Sequence, residues 1–182
     1  MLSALTIPDA FSPAECAAIL VLSAAAPAQD AGLVGGQLHN MRRAEIAWLD
    51  EAPGTDWVMQ RIITLVAEAN RSHFGFDLTE FAESPQVARY GAEVAGHFDW
   101  HADVGDGPVA RKRKLTLVVQ LSDPADYAGG ALEWQIDAEV RTAPREVGTA
   151  TLFPSFALHR VTPVTQGGRA SLTTWAHGPA FR

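Results

Sequence analysis

Lys114-Leu115-Thr116-Leu117-Val118-Val119-Gln120-Leu121 places Leu115, Leu117, Val119 and Leu121 on one face of an extended chain and Thr116, Val118 and Gln120 on the other. This period of two is the strand signal. Shorter segments of the same kind follow Pro85, broken by turns rich in Gly, Pro and Asp. Strands are expected near 86–91, 95–102, 114–122, 130–135, 138–143, 148–153, 158–164 and 169–176, with Thr165-Gln166-Gly167-Gly168 read as a turn. So dense a run of short strands predicts an antiparallel architecture.

The chain before Pro85 reads differently. Ser12-Pro13-Ala14-Glu15 is a capping box with Pro at the first helical position, which predicts a helix over 13–25 ending before Pro27. Residues 27–37 read as a loop, and Arg42 to Leu49 alternate like a strand. After Thr55 as cap, Val58, Ile62, Leu65, Val66 and Ala69 recur at helical spacing to about His73. The fold class is therefore mainly β with supporting N-terminal helices, and the strand count suits a jelly roll. Two helices are too few for a core of their own. One domain is expected over 1–182, with helical support over about 1–84 and the jelly roll over about 85–178.

Composition narrows the function classes. The 182 residues carry 14 basic and 21 acidic side chains, a formal charge of -7. That balance argues against a partner gripped by its phosphate backbone, so no nucleic acid is expected, and the run Arg111–Lys114 reads as a solvated strand entry. Cys16 is the single cysteine, which excludes a disulfide scaffold and a cysteine zinc site. The apolar stretch 16–26 is too short to cross a bilayer and lacks a basic lead, so no membrane association and a cytoplasmic setting are expected.

The chemistry concentrates in Gly96-His97-Phe98-Asp99-Trp100-His101-Ala102-Asp103. On a regular strand His97, Asp99, His101 and Asp103 share a face, a costly row in a core without metal or water. Two His-x-Asp pairs are available there. Downstream, Leu158-His159-Arg160-Val161 supplies a third imidazole, and Arg169, Ser171 and Thr173 share a strand face. Two neutral imidazoles and one carboxylate form a facial triad that leaves positions open on a divalent metal. A 2-oxo acid chelated there would need a planar cation for its distal carboxylate; Arg169 offers the fork and Ser171 a second contact.

With these residues in view, the chain resembles the iron(II)- and 2-oxoglutarate-dependent dioxygenases of the prolyl 4-hydroxylase-like superfamily, particularly bacterial PKHD-type members. The elements that carry the resemblance are Tyr90-Gly91, Trp100-His101-Ala102-Asp103, Gly129-Gly130-Ala131-Leu132-Glu133, Gly148-Thr149 with Leu152-Phe153-Pro154-Ser155, His159-Arg160-Val161-Thr162-Pro163-Val164 and Arg169-Ala170-Ser171. They span about residues 85–178, with a weaker echo at Phe11–Cys16. Arg169 follows His159 by ten positions, which is the family's spacing.

The resemblance implies a double-stranded β-helix and Fe(II) held by His101, Asp103 and His159, the pair that ends its strand; His97 and Asp99 then become outer or substrate-facing groups. It also implies 2-oxoglutarate as co-substrate on Arg169, Ser171 and Tyr90, with ascorbate as supporting reductant. The implied reaction hydroxylates a C–H bond of a protein or peptide residue or a small metabolite, consumes dioxygen and releases succinate and CO2. Competing readings are a cupin-like metal-binding jelly roll without oxygenase activity, and a hydroxylase of free amino acids or small molecules. Arg42 and Arg43 are candidates for a substrate carboxylate, Trp134 for the substrate mouth, and His39, His73 and His177 receive no role. Nothing in the sequence sets the oligomeric state.

Overall fold

A computed structural model describes residues 3–30, 33–34, 37–38 and 41–181. Helix α1 spans Pro13–Ala24 and α2 spans Asp56–Ala69. The strands are β1 (Leu5–Ile7), β2 (Gln29–Asp30), β3 (Leu33–Val34), β4 (Gln37–Leu38), β5 (Arg42–Arg43), β6 (Glu45–Trp48), β7 (Gln86–Gly91) and β8 (His97–His101). Beyond them come β9 (Arg113–Gln120), β10 (Tyr127–Gly129), β11 (Leu132–Gln135), β12 (Arg141–Thr142), β13 (Ala150–Pro154), β14 (Leu158–Val161) and β15 (Val164–His177).

Two antiparallel sheets face each other. The larger runs β1-β13-β9-β15-β7-β6-β2, with β10 added on β15; the smaller runs β12-β11-β14-β8-β5. This is the expected jelly roll, with its helices on one side. Leu115, Leu117, Val119 and Leu121 do not fill the barrel: with Leu152 and Leu172 they pack outward against Ile19 of α1 and Val58, Ile62 and Val66 of α2. Each buried side chain of this size contributes about 1.5–3 kcal/mol. The other face of the large sheet, carrying Tyr90, Thr116, Gln120 and Arg169, therefore looks toward the small sheet, and the polar half of the alternation lines the interior.

The α1 start forms as its sequence indicates. Glu15 N–H donates to Ser12 Oγ at 3.2 Å and Ser12 N–H to Glu15 Oε2 at 2.7 Å. Thr55 is the N-cap residue of α2, as expected, but its backbone is helical rather than extended and its hydroxyl donates to the carbonyls of Leu49 and Ala52 rather than accepting from the first turn. The region 27–37, read as a loop, contains β2 paired with β6 and the small pair β3–β4. The turn expected at 165–168 lies inside β15. There Gly167, at φ +63°, lets the strand meet β10: a Cβ on it would stand 2.0 Å from the Asp126 carbonyl oxygen. A glycine that reads as part of a turn is serving close approach between strands.

Candidate metal and anion site

The β8–β14 pairing sets the site. His101 lies opposite His159 and Phe98 opposite Val161, so three steps on β8 match two on β14. This bulge breaks the pleat, and Phe98 and His101 emerge on one side with their rings stacked at 3.5 Å and 14°. The expectation that His97, Asp99, His101 and Asp103 share a face is corrected accordingly. His97 Nδ1 faces the Ala95 carbonyl at 2.8 Å. Asp99 is exposed, its carboxylate accepting from Trp100 N–H, and its main-chain carbonyl alone reaches toward the site.

His101, Asp103 and His159 come together with their candidate donor atoms within 4.8 Å of one another, a group that could hold a metal ion. His101 Nε2 is 3.5 Å from Asp103 Oδ1 and His159 Nε2 is 3.4 Å from Oδ2. Both Nδ1 atoms face carbonyls, His101 that of Asp99 at 2.7 Å and His159 that of Ala157 at 3.0 Å. A carbonyl can only accept, so each Nδ1 carries the proton and each Nε2 offers a lone pair. Burial lowers the pKa of His159, against the pull of Asp103, which favours the neutral ligand form. Burial opposes the Asp103 carboxylate, and positive charge on the flanking His159 and His101, or on a metal ion held between them, holds its pKa well below the usual range.

Asp103 sits just past the end of β8. Its N–H donates to the Ser155 carbonyl at 2.9 Å, and Thr116 Oγ1 donates to Oδ2 at 2.7 Å. Thr116 and Ser155 hydroxyls are themselves 3.1 Å apart. The sequence shows Thr116 as a polar position on a strand face, but nothing there points it at Asp103.

Arg169 occupies the same interior, 1% exposed. It stands opposite Tyr90 in the β7–β15 pairing, with its guanidinium 5.6 Å from the Tyr90 ring centre. Nε and Nη2 both donate to Gln120 Oε1, at 3.2 and 2.9 Å, while Nη1 is buried without a partner. Among the described residues no carboxylate pairs with it. Burial lowers its pKa, with Tyr90 and Tyr127 acting in the opposite direction; a guanidinium nevertheless stays charged. Ser171, 2% exposed, lies opposite Gln120 in the β9–β15 pairing. Gly130 makes the room: a Cβ there would lie 3.1 Å from Arg169 Cδ.

A cavity of about 1120 Å3 reaches this cation and is walled by Arg42, Arg43, Tyr90, Gly91 and Arg169 among others; His101, Asp103 and His159 do not line it. Arg42 lies over the Phe98 ring at 4.6 Å, and Arg43 donates to the Val94 carbonyl. Trp134 is not at a mouth but 7% exposed in the interior cluster with Val118, Leu132 and Phe153. His73 contacts Ser3, and His39 lies outside the described residues. His177, without a role in the sequence reading, is fully buried against Glu83.

The donor set fits a divalent iron with open positions, and the orphaned Arg169 Nη1 fits the far carboxylate of a keto diacid. Two imidazoles and one carboxylate on one side of a metal define the non-haem iron oxygenases. The chain belongs to the 2OG-Fe(II) oxygenase superfamily, whose family model matches residues 85–177. A PKHD-type hydroxylase of Bordetella pertussis is 31% identical over 179 residues, covering 93% of this chain and 76% of the relative. One from Sphingopyxis alaskensis is 36% identical over 97 residues, half of this chain and 42% of the relative. The chain thus aligns with less than half of the length of some curated relatives and about three quarters of others.

Among solved structures, a Pseudomonas putida prolyl-4-hydroxylase superposes with a TM-score of 0.75 at 20% identity, covering 97% of this chain and 93% of that one. The collagen prolyl hydroxylase of Paramecium Bursaria Chlorella virus-1, in its 2-oxoglutarate complex, gives 0.71 at 22% identity, with 96% of each chain covered. Likeness at these identities establishes the shared fold. Among the described residues no helix is long and apolar enough to cross a membrane.

Proposed function

We propose that this protein is an Fe(II)- and 2-oxoglutarate-dependent hydroxylase acting on a C–H bond of a protein or peptide residue. The observation that carries the reading is Arg169: a buried cation with one donor unmatched, in the same barrel as the His101, Asp103 and His159 group. A buried charge without an anion is costly. Its retention is understandable if an anionic ligand completes the site, which a cupin-like metal binder without a co-substrate would not require.

In this reading His101 and His159 give Nε2 lone pairs and Asp103 a carboxylate oxygen to iron. Arg169 grips the distal carboxylate of 2-oxoglutarate through Nη1, Gln120 keeps the fork oriented, and Ser171 and Tyr90 lie beside it. Thr116, which holds Asp103, and Gln120, which holds Arg169, are four residues apart on β9, roughly 13 Å at strand rise. The Arg169 side chain and a short dicarboxylate together bridge that span. Iron and 2-oxoglutarate, when bound, supply the oxidative chemistry: R–H, 2-oxoglutarate and O2 become R–OH, succinate and CO2. Ascorbate serves to keep iron reduced.

The chain acts as one unit, with 1–84 supporting the catalytic jelly roll of 85–178, in the cytoplasm. The preference for a peptide substrate draws on the structural neighbour from Trichoplax adhaerens, a prolyl hydroxylase in complex with a hypoxia inducible factor oxygen degradation domain peptide fragment, which superposes with a TM-score of 0.75 at 19% identity. Purified protein with Fe(II), 2-oxoglutarate and ascorbate should form succinate slowly, and faster with a proline-containing peptide. No succinate from protein that binds both ligands would overturn the oxygenase reading.

A further inference from the structure

Asp103 lies where the chain leaves β8, so its carbonyl has lost its ladder partner. Arg113 Nη1, at the start of β9, supplies the replacement at 3.0 Å. A long guanidinium arm positions nothing unless it is itself fixed, and three groups fix this one. The Trp175 ring lies 4.0 Å from the guanidinium carbon. Glu83 takes a two-pronged bond, from Nε to Oε2 at 2.6 Å and from Nη2 to Oε1. His177 faces Glu83 Oε2 through Nε2 at 2.9 Å.

The His177 tautomer follows from its other nitrogen. Ala82 N–H donates to Nδ1 at 3.2 Å, so Nδ1 is the acceptor and Nε2 carries the proton donated to Glu83. His177 completes this connection in its neutral form. The segment leading into β7, the start of β9 and the end of β15 thus converge on one main-chain oxygen of Asp103. Glu83 also cancels the Arg113 charge, so the support is geometric; an unpaired guanidinium here would compete with the metal for the electron density of Asp103.

We propose that Glu83, Arg113 and His177 act as positioning residues for the carboxylate metal ligand, setting how tightly the site holds its divalent ion. The proposal rests on the metal-site reading above. Outer groups that orient metal ligands typically change affinity by about 10- to 100-fold when lost.

Co(II) titration of the metal-free protein, followed by the visible absorption of the bound ion, tests it. Arg113→Gln should raise the Co(II) Kd about tenfold or more, and Glu83→Gln by several-fold, on the order of the losses seen for such outer groups. Arg113→Lys, which can reach the carbonyl but cannot fork Glu83, should fall between. The KM for 2-oxoglutarate at saturating Fe(II) should stay within about twofold, since Arg169 is untouched. Glu133→Gln, which removes the partner of Arg160, should leave the Kd unchanged. A folded Arg113→Gln protein with the wild-type Kd would overturn the proposal; if that variant does not fold, a wild-type Kd in Glu83→Gln does so. Failure of the wild-type protein to take up Co(II) would instead remove the metal-site reading, and this inference with it.

Discussion

His101 lies directly across from His159 in the β8–β14 pairing, and the bulge between that pair and Phe98–Val161 decides which His-x-Asp can bind a metal. The shift of register turns His101 toward His159 and leaves Asp99 exposed. His101→Ala should therefore abolish stoichiometric iron binding, while His97→Ala and Asp99→Ala retain it, because Asp99 contributes through a carbonyl that alanine also has. Iron content of protein loaded anaerobically checks all three.

Arg169→Met should weaken 2-oxoglutarate binding by roughly 10- to 100-fold, the worth of a lost charge-assisted hydrogen bond, and leave Co(II) binding intact. The ligand-free variant loses a buried cation but leaves Gln120 Oε1 without its donors, so it should unfold at about the wild-type temperature, while the rise that 2-oxoglutarate gives the wild type should be lost. Calorimetry with and without 2-oxoglutarate separates the two effects.

Gly130 is held at φ +63° with Val164 Cγ2 and Arg169 Cδ at 2.9 and 3.1 Å from the position of a Cβ. Gly130→Ala should cost about 1–3 kcal/mol in urea unfolding, from crowding and the left-handed backbone. It should also raise the Kd for 2-oxoglutarate by displacing the guanidinium, whereas Gly105→Ala, whose added methyl meets nothing closer than 3.7 Å, should do neither.

Glu83 makes a pH prediction with a definite sign. Burial opposes its charge, but the bonds from Arg113 and His177 prevail and bring its pKa down from 4.5 to about 2. Its contribution is present in full above the unfolded value and is lost as pH falls from about 4.5 through about 2. The amount is on the order of 2 kcal/mol after allowance for partial solvent screening. Glu83→Gln should be less stable than wild type at neutral pH by about this much, with the two curves converging near pH 2, as read by denaturant unfolding across that range.

Much of the architecture is legible in local pattern. The capping box at Ser12 and Glu15, the helical spacing from Val58 to Ala69 and the alternation from Lys114 to Leu121 each reflect an interaction within a few residues, so sequence alone predicts them. Gly167 departs from its turn reading because its partner, Asp126, lies far along the chain, whereas the Thr55 hydroxyl is taken by two local carbonyls, those of Leu49 and Ala52.

The site divides in the same way. Sequence by itself determined that two imidazoles, a carboxylate and an arginine at family spacing were available, since residue type and spacing are one-dimensional facts. Tertiary structure decided which His-x-Asp faces His159, through a bulge that depends on the register between β8 and β14. It also decided that Gln120 rather than a carboxylate meets Arg169, leaving the cation open to a ligand, and that Glu83 and His177 brace Asp103 through Arg113. Such contacts join residues tens of positions apart, and they exist only once pairing and packing have closed the barrel.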